Sequence, residues 1–346
     1  GTGPTGTSVL FRGTALGTAA GADVATIKDA AGFSFNGQTG ATATTTKGIL
    51  PWALVDVTTT GLGTSFATGD AAAATATTAN LRPLAANEYS AVNTIAANNN
   101  VLLTTGTTTA AANVAPNSLT IAGNANLSLN NGVILNLSSG GILVRAGSVS
   151  TISGGLINQT NGFSPLNLWT VGDLTITSPI NGGQGISNGA MAVIKAGAGT
   201  LTLAPVATSL NGLSGFAHNS MNGQYVLNDG TLKAGTGLTN VFGALNYFAI
   251  NGGTLDLNGT SQMVHGFFSD SVIGGAPGIV TSSTGTGHLL INSDNGARNF
   301  AGSIQGATKL TRSSANNLSF YSNNTYTGAT VINGGNILLR DDGAFS

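Results

Sequence analysis

The sequence contains one motif with the spacing of a hydrolase nucleophile. Gly185–Gly189 reads GISNG, which matches G-x-S-x-G with Ser187 at the nucleophile position. Asp229 or Asp256 and then His265 follow in the chain order of α/β-hydrolases. That chemistry needs a strand, a sharp turn and a helix in an α/β sheet, and the sequence predicts neither the helices nor that sheet. We therefore interpret GISNG as a glycine-rich corner and expect no catalytic residue.

The acidic residues suggest a second kind of chemistry, since two carboxylates about 5–10 Å apart can hydrolyse a glycosidic bond. The candidates stand singly along the chain: Asp173, Asp229, Asp256, Asp270 and Asp294. Stacked coils would bring Asp229 and Asp256 together, but we expect no Lys, Arg or His beside them. An Asp in a turn more often bonds the local backbone. A glycan hydrolase or lyase is therefore the weaker alternative.

The spacing of a metal site or a cofactor site is missing. His218, His265 and His288 lie far apart in the sequence. Asn292–Gly296 reads NSDNG, which has oxygen ligands in a turn but lacks the glutamate that completes a calcium loop. Gly1–Gly6 matches a nucleotide-binding glycine pattern, but no predicted strand precedes it and no helix follows. We expect no metal and no cofactor.

The composition excludes some function classes. Only 7% of the 346 residues are charged, the net charge is −1, and the 11 basic residues are scattered, so we expect no nucleic-acid partner. No apolar run reaches the roughly 18 residues that a membrane span needs. The chain has 52 glycines and no cysteine. This composition is typical of bacterial surface fibres, and it predicts an extracellular or cell-surface location.

Strand patterns dominate the sequence from Ser118 onward. Short runs such as SLTI, TLTL, TLDL and HLLIN alternate apolar and polar residues between Asn, Gly and Ser turns. Short strands with tight corners are typical of a solenoid, in which the chain turns every few residues. The best helix candidate, Asp70–Leu81, has no apolar stripe and is interpreted as a loop or a single turn.

Glycine spacing supports a coil of regular length. Gly132 and Gly155 are separated by the same interval as Gly230 and Gly253, and Gly141 would be another corner. This interval of roughly 23 residues suits three short strands and three turns. We predict an all-β right-handed parallel β-helix over residues 116–346. Residues 1–115 are predicted to form an irregular β-rich region with insertions, continuous with the solenoid.

The alternation also predicts which side chains fill the core. We expect Leu201 and Leu255 to point inward and Thr254 to point outward. Four aliphatic residues of the last coil are expected to point inward as well: Val331, Ile332, Ile337 and Leu339. Gly334 and Gly335 would form a corner that needs positive φ.

Three segments resemble the autotransporter-associated β-strand repeat. They are GAGTLTL at Gly197–Leu203, INGGTLDLNG at Ile250–Gly259 and NTYTGATVINGGNILL at Asn324–Leu339. The resemblance implies a right-handed parallel β-helix and an exported passenger or surface fibre. The sequence departs from the repeat in one respect, because over a hundred residues separate GTLTL from NTYTG.

These observations predict a non-enzymatic extracellular structural protein that self-assembles into a filament or surface layer. The alternative is an adhesin stalk, with the segments around Pro51–Trp52 and Pro83–Tyr89 as presented loops and with cell-surface or glycan contacts. A solenoid exposes unpaired backbone groups at its ends unless a cap covers them. We expect copies of the chain to join head to tail, or to donate Ser8–Phe11 as a strand. The assembly residues would be Ser8, Val9, Leu10, Phe11, Ile337, Leu338 and Leu339.

Overall fold

The computed structural model describes residues 6–18, 21–28, 34–70, 80–158, 165–181, 191–206, 208–210, 213–216, 223–270, 278–292 and 296–340. Within these ranges the chain is all-β, with no α-helix and one 3-10 turn at Ala86–Glu88. Most of the helix candidate, residues 71–79, lies outside the described residues. No helix in the described ranges is long and apolar enough to span a membrane.

Parallel strands stack into a β-solenoid of about eight turns, as the sequence predicted. The first wall has eight strands: β5 (Asn100–Leu103), β7 (Ser118–Ile121), β9 (Gly141–Val144), β11 (Leu166–Thr170), β14 (Met191–Ala196), β18 (Gly223–Leu227), β20 (Tyr247–Ile250) and β23 (Gly266–Phe268). The second wall has eleven: β6 (Thr107–Ala110), β8 (Asn126–Asn136), β10 (Val149–Asn158), β12 (Asp173–Ile176), β13 (Ile180–Asn181), β15 (Thr200–Leu203), β19 (Thr231–Ala234), β21 (Thr254–Asp256), β24 (Ile279–Thr281), β27 (Ser303–Gly306) and β30 (Thr325–Tyr326).

The C-terminal half adds two smaller parallel sheets. One contains β22 (Ser261–Val264), β25 (Gly287–Ile291), β28 (Thr308–Arg312) and β31 (Thr330–Ile332). The other contains β26 (Arg298–Phe300), β29 (Asn317–Phe320) and β32 (Asn336–Leu339). A short antiparallel hairpin, β16 (Thr208–Leu210) and β17 (Leu213–Phe216), forms within one long coil between β15 and β18.

The core consists of aliphatic columns that run along the solenoid axis. Leu201, Leu232 and Leu255 are in register on successive coils, and all three are fully buried. Thr254 lies on the opposite face of its strand and is only half-buried. The predicted inward positions of Leu201 and Leu255 are therefore confirmed, and burial of these columns is the main contribution to stability.

The predicted coil length is confirmed at Gly230 and Gly253. Thr231 pairs with Thr254, so the two preceding glycines lie at the same corner of consecutive coils. Both have positive φ, 68° at Gly230 and 67° at Gly253.

The prediction that Gly132 and Gly155 are separated by one regular coil is wrong, because a bulge interrupts the pairing of β8 with β10. Leu127 pairs with Ile152 and Leu135 pairs with Ile157, so the interval between partners is shorter at the second pair than at the first. The register shifts between these pairs, and Gly155 lies at the shift. A bulge adds unpaired residues to one strand, and that changes the apparent period.

The N-terminal region forms a separate four-stranded sheet against the solenoid. Its strands are β1 (Val9–Arg12), β2 (Leu50–Asp56), β3 (Ser65–Gly69) and β4 (Leu81–Pro83). β1 pairs with β2 in parallel, and the other two pairings are antiparallel. Leu54 and Phe66 of this sheet pack in one buried cluster with Leu143, Trp169 and Ala196 of the first wall. The Trp169 Nε1–H also donates to the Pro51 carbonyl at 3.0 Å.

At the N-terminal end of the solenoid, residues 89–98 cover the outer edge of the first wall. The Ser90 N–H donates to the Asn100 carbonyl, and the Asn93 N–H donates to the Leu102 carbonyl. The Asn93 Oδ1 accepts from the Thr104 N–H at 2.7 Å. These bonds satisfy backbone groups along the edge of β5, where the first wall begins.

The last coil is more exposed than the sequence predicted. Ile337 and Leu339 do lie in register with buried Leu318 and Phe320. Leu339 is nevertheless 45% exposed, because within the described ranges no further strand pairs with β32.

Two details of this coil differ from the prediction. Val331 pairs with Thr311, which lies between the inward residues Leu310 and Arg312, so Val331 faces outward and the inward prediction is wrong. Ile332 lies over Arg312 and is 51% exposed. Of the two corner glycines, Gly335 has positive φ, at 67°, and Gly334 does not.

Candidate functional site

Several predicted site residues lie outside the described ranges. They are residues 1–5 of the first glycine pattern, the GISNG segment with Ser187, His218, and Asp294 of the NSDNG turn. The remaining acids and histidines are described, and the structure places each of them.

The structure does not pair Asp229 with Asp256. The register of β19 and β21 sets Asp256 opposite Lys233, while Asp229 precedes the corner at Gly230. The Lys233 Nζ lies 3.2 Å from the Asp256 Oδ2. The prediction that the two carboxylates lie together is therefore wrong. The expectation that no basic residue accompanies Asp256 is also wrong.

Asp256 is held by hydrogen bonds in an ionised state. The Ser283 hydroxyl donates to Oδ2 at 2.6 Å, and the Asn258 N–H donates to Oδ1 at 2.9 Å. Burial alone would raise the pKa of Asp256, but the bonds from Ser283, Asn258 and Lys233 hold the pKa below its usual value. This carboxylate joins neighbouring coils, which is a structural role.

Asp173 and Asp270 also bond to neighbouring coils. The Asp173 Oδ1 accepts from the Thr200 N–H at 2.7 Å. Asp270 and Asn251 exchange two bonds, in which the Asn251 amide donates to Asp270 Oδ2 and the Asp270 N–H donates to Asn251 Oδ1. These are ladder contacts between successive coils.

The two described histidines are separate. His265 contacts the Tyr247 ring edge to face, with ring centroids 4.7 Å apart. The His288 Nε2 lies 2.8 Å from the Thr311 hydroxyl, and burial and then Lys309 lower the pKa of His288. Across the described residues, no three His, Asp or Glu side chains are grouped so as to hold a metal ion.

The predicted N-terminal assembly strand is bound within its own chain. Val9, Leu10 and Phe11 belong to β1, which pairs with β2. The Asn228 side-chain amide donates to the Gly6 carbonyl at 2.8 Å and to the Ser8 Oγ at 3.0 Å. The segment is thereby attached to the corner between β18 and β19.

A buried lysine lies next to this attachment point, and the sequence reasoning missed it. Lys195 lies in the inward column between Leu168 and Leu227 and is 1% exposed. Its Nζ donates to the carbonyls of Gly197 at 2.6 Å, Asp229 at 2.8 Å and Ala196 at 3.2 Å. The signal in the sequence was the single charge in the apolar run MAVIKA.

The environment of Lys195 changes its titration. Burial lowers the pKa of Lys195 to about 7, against the smaller opposing effects of Asp229 and Asp173. The bonds to Gly197 and Asp229 join the corners of two consecutive coils. Gly230 leaves space for the ammonium, because a β-carbon there would be 2.6 Å from the Nζ.

A cleft of about 200 Å³ opens between β1 and the first wall. Ser8, Leu10 and Arg12 line one side, and Trp169 and Asp229 are among the residues of the other side. This cleft combines a cation, an anion, a hydroxyl and apolar surface. It is a candidate binding site built from described residues.

Comparisons with known proteins gave no relative, since no family model, no curated protein and no solved structure matches this chain.

Proposed function

We propose that the chain is a non-enzymatic structural module of an extracellular or cell-surface fibre, and that the outermost coil is its assembly surface. This outermost coil consists of β30, β31 and β32. The exposure of Val331, Ile332 and Leu339, at 45%, 51% and 45%, is the observation that carries the proposal. Burying such side chains under another coil would remove apolar surface from water.

The backbone and amide groups of the outermost coil suit the same kind of partner. Among the described strands, β31 and β32 each pair along one edge, and their other edge offers N–H and C=O groups to a further strand. The Asn336 amide donates to the Asn317 Oδ1 at 3.0 Å, and the Asn336 Oδ1 is an acceptor for the next amide of the same ladder. A coil from a second copy would continue both ladders.

The acids support a structural role rather than catalysis. Asp173, Asp256 and Asp270 each bond a neighbouring coil. These contacts between coils are a structural use of the three carboxylates.

The experiment compares association of the wild-type chain with two charge variants. Leu339→Lys places a charge on the outermost coil, and Val149→Lys places the same charge at a 66% exposed site in the middle of the solenoid. By sedimentation and negative-stain microscopy, the wild type and Val149→Lys should associate, and Leu339→Lys should stay monomeric. Equal association of the two variants would contradict the proposal, as would turnover of any polysaccharide.

The second candidate function is an adhesin stalk, and the covered N-terminal end favours it. Residues 89–98 cover the outer edge of β5, so a head-to-tail contact at the first wall would meet a covered edge. Long uniform fibres in the microscope would support the filament. Monomeric rods at every concentration would support the stalk.

A further inference from the structure

The cleft between β1 and the first wall has two unlike sides. The alternation of side chains along an extended strand puts Ser8, Leu10 and Arg12 on the same face of the N-terminal segment. This face meets Trp169, which is buried in the cluster that joins the N-terminal sheet to the solenoid. Asp229 lines the cleft from the corner between β18 and β19. The lining of the cleft thus combines apolar and polar side chains.

The volume restricts the size of a ligand. Pockets for drug-sized molecules enclose about 300–1,000 Å³, and this cleft encloses about 200 Å³. It therefore has room for one substituted six-membered ring.

The charges select an anionic group on that ring. The Arg12 side chain is exposed and forms no hydrogen bond or ion pair with any part of the chain that the structure describes. A guanidinium binds a carboxylate through two parallel hydrogen bonds. The Arg12 guanidinium therefore favours an anion at this position.

The remaining polar groups require hydroxyls on the ligand. The Asp229 Oδ1 accepts from the Gly230 N–H, and the second carboxylate oxygen is an acceptor for a hydroxyl donor. The Ser8 Oγ accepts from Asn228, and its own hydroxyl hydrogen is left to donate. A ring that carries a carboxylate but no hydroxyls would bind Arg12. It would offer Asp229 no hydrogen-bond donor, and the two carboxylates would repel each other.

We propose that this cleft binds a single hydroxylated carboxylate ring of the hexuronic acid class. The carboxylate would bind Arg12, the ring would cover Leu10 and Trp169, and hydroxyls would donate to Asp229 and accept from Ser8. The site is independent of the outermost coil, so failure of binding and failure of assembly are separate results.

The test is a calorimetric titration of the full chain with glucuronate, with glucose as the uncharged ring and benzoate as the ring without hydroxyls. Glucuronate should saturate one site and bind at least about tenfold more tightly than glucose or benzoate, which is the effect of one charge-assisted bond. Absence of saturable glucuronate binding would overturn the proposal, and so would equal affinity for all three.

Two arginine variants locate the site. Arg12→Gln should weaken glucuronate binding about tenfold, whereas Arg340→Gln, at an exposed position on the last coil, should leave it unchanged. Unchanged binding in Arg12→Gln would overturn the assignment. Asp229→Asn provides a second readout, because it should improve benzoate binding relative to glucuronate. Equal melting temperatures of the variants and the wild type would show that the fold is retained.

Discussion

Gly253 lies directly over Gly230, and a β-carbon on Gly253 would be 2.3 Å from the Gly230 carbonyl oxygen. Only a residue without a side chain lets the two corners approach this closely. The interval between Gly230 and Gly253 in the sequence is the length of one coil, and the close contact of the two corners sets the distance between the coils.

Replacing Gly253 with alanine should therefore be much more destabilising than φ strain alone predicts. Gly237 is the matched control, since its φ is 71° and a β-carbon there would meet nothing within 4 Å. Gly237→Ala should cost about 1–2 kcal/mol of unfolding free energy from the left-handed backbone. Gly253→Ala should cost several kcal/mol, measured by denaturant unfolding. Similar losses in the two variants would mean that the coils separate at this corner at little cost.

The register of the core columns is tested by Leu255 and its neighbour. Leu255→Asp would bury an unpaired charge between Leu232 and Val280 and should cost several kcal/mol, enough to threaten folding. Thr254→Ala, on the other face of the same strand, should cost less than about 1 kcal/mol. Thermal unfolding gives both values. Equal shifts in melting temperature would show that the faces of β21 are assigned in reverse.

The N-terminal sheet depends on a buried ion pair between Arg82 and Glu88. The two guanidinium nitrogens donate to the two carboxylate oxygens at 2.7 Å each, and Glu88 is fully buried. Glu88→Gln should cost about 3–5 kcal/mol, because it leaves the buried Arg82 guanidinium with only the half-exposed Asp70 as a counter-charge. Asp70 also bonds Arg82, at 2.8 Å, but its side chain is 47% exposed. Asp70→Asn should therefore cost under about 1 kcal/mol, and equal losses would contradict this account.

Lys195 should make the stability of the fold depend on pH. Its folded pKa of about 7 is below the ordinary value of 10.5, so the unfolded chain binds this proton more tightly. The free energy of unfolding should therefore rise with pH between about 7 and 10.5, by at most roughly 5 kcal/mol, and this group should contribute no slope below pH 7.

Lys195→Met isolates this effect, because methionine suits a column that holds Leu168 and Leu227 in the adjacent coils. The variant should lose the slope above pH 7, measured by urea unfolding at several pH values. The exposed Lys309→Met is the control and should keep the wild-type slope. A slope that persists in Lys195→Met would assign the titration to another group.

The sequence predicted the solenoid because its physical causes are local. Alternation within short strands identified Leu201 and Leu255 as inward residues, and both are fully buried. Glycine repeats at Gly230 and Gly253 indicated the coil length, since stacked corners need the same backbone conformation.

The N-terminal sheet could not be predicted in the same way. Its central relationship is the parallel pairing of β1 with β2, where Val9 lies beside Ala53. Nothing in either short segment identifies its partner across the long stretch of sequence between them. The position of the sheet on the solenoid depends on Leu54 and Trp169, which belong to one buried cluster although they are distant in sequence.

The candidate cleft was missed for a related reason. Arg12 and Asp229 are distant in sequence, and each has an ordinary local environment. Lys195 was not identified, because alternation does not show which carbonyls a long side chain can reach. Val331 was assigned to the wrong face, since a strand as short as Thr330–Ile332 gives the alternation too few positions to fix its phase.

The hairpin of β16 and β17 has a consequence for how such a chain can change over time. It lies in the coil that runs from Val193 to its partner Tyr225, which is much longer than the coil from Val101 to Leu119. The first wall keeps its ladder across both, so the extra residues are accommodated between β15 and β18 without moving the wall strands. A gene encoding this chain can therefore vary in length between these two strands while the register of the first wall is kept. The same segment is a natural place to graft a foreign epitope.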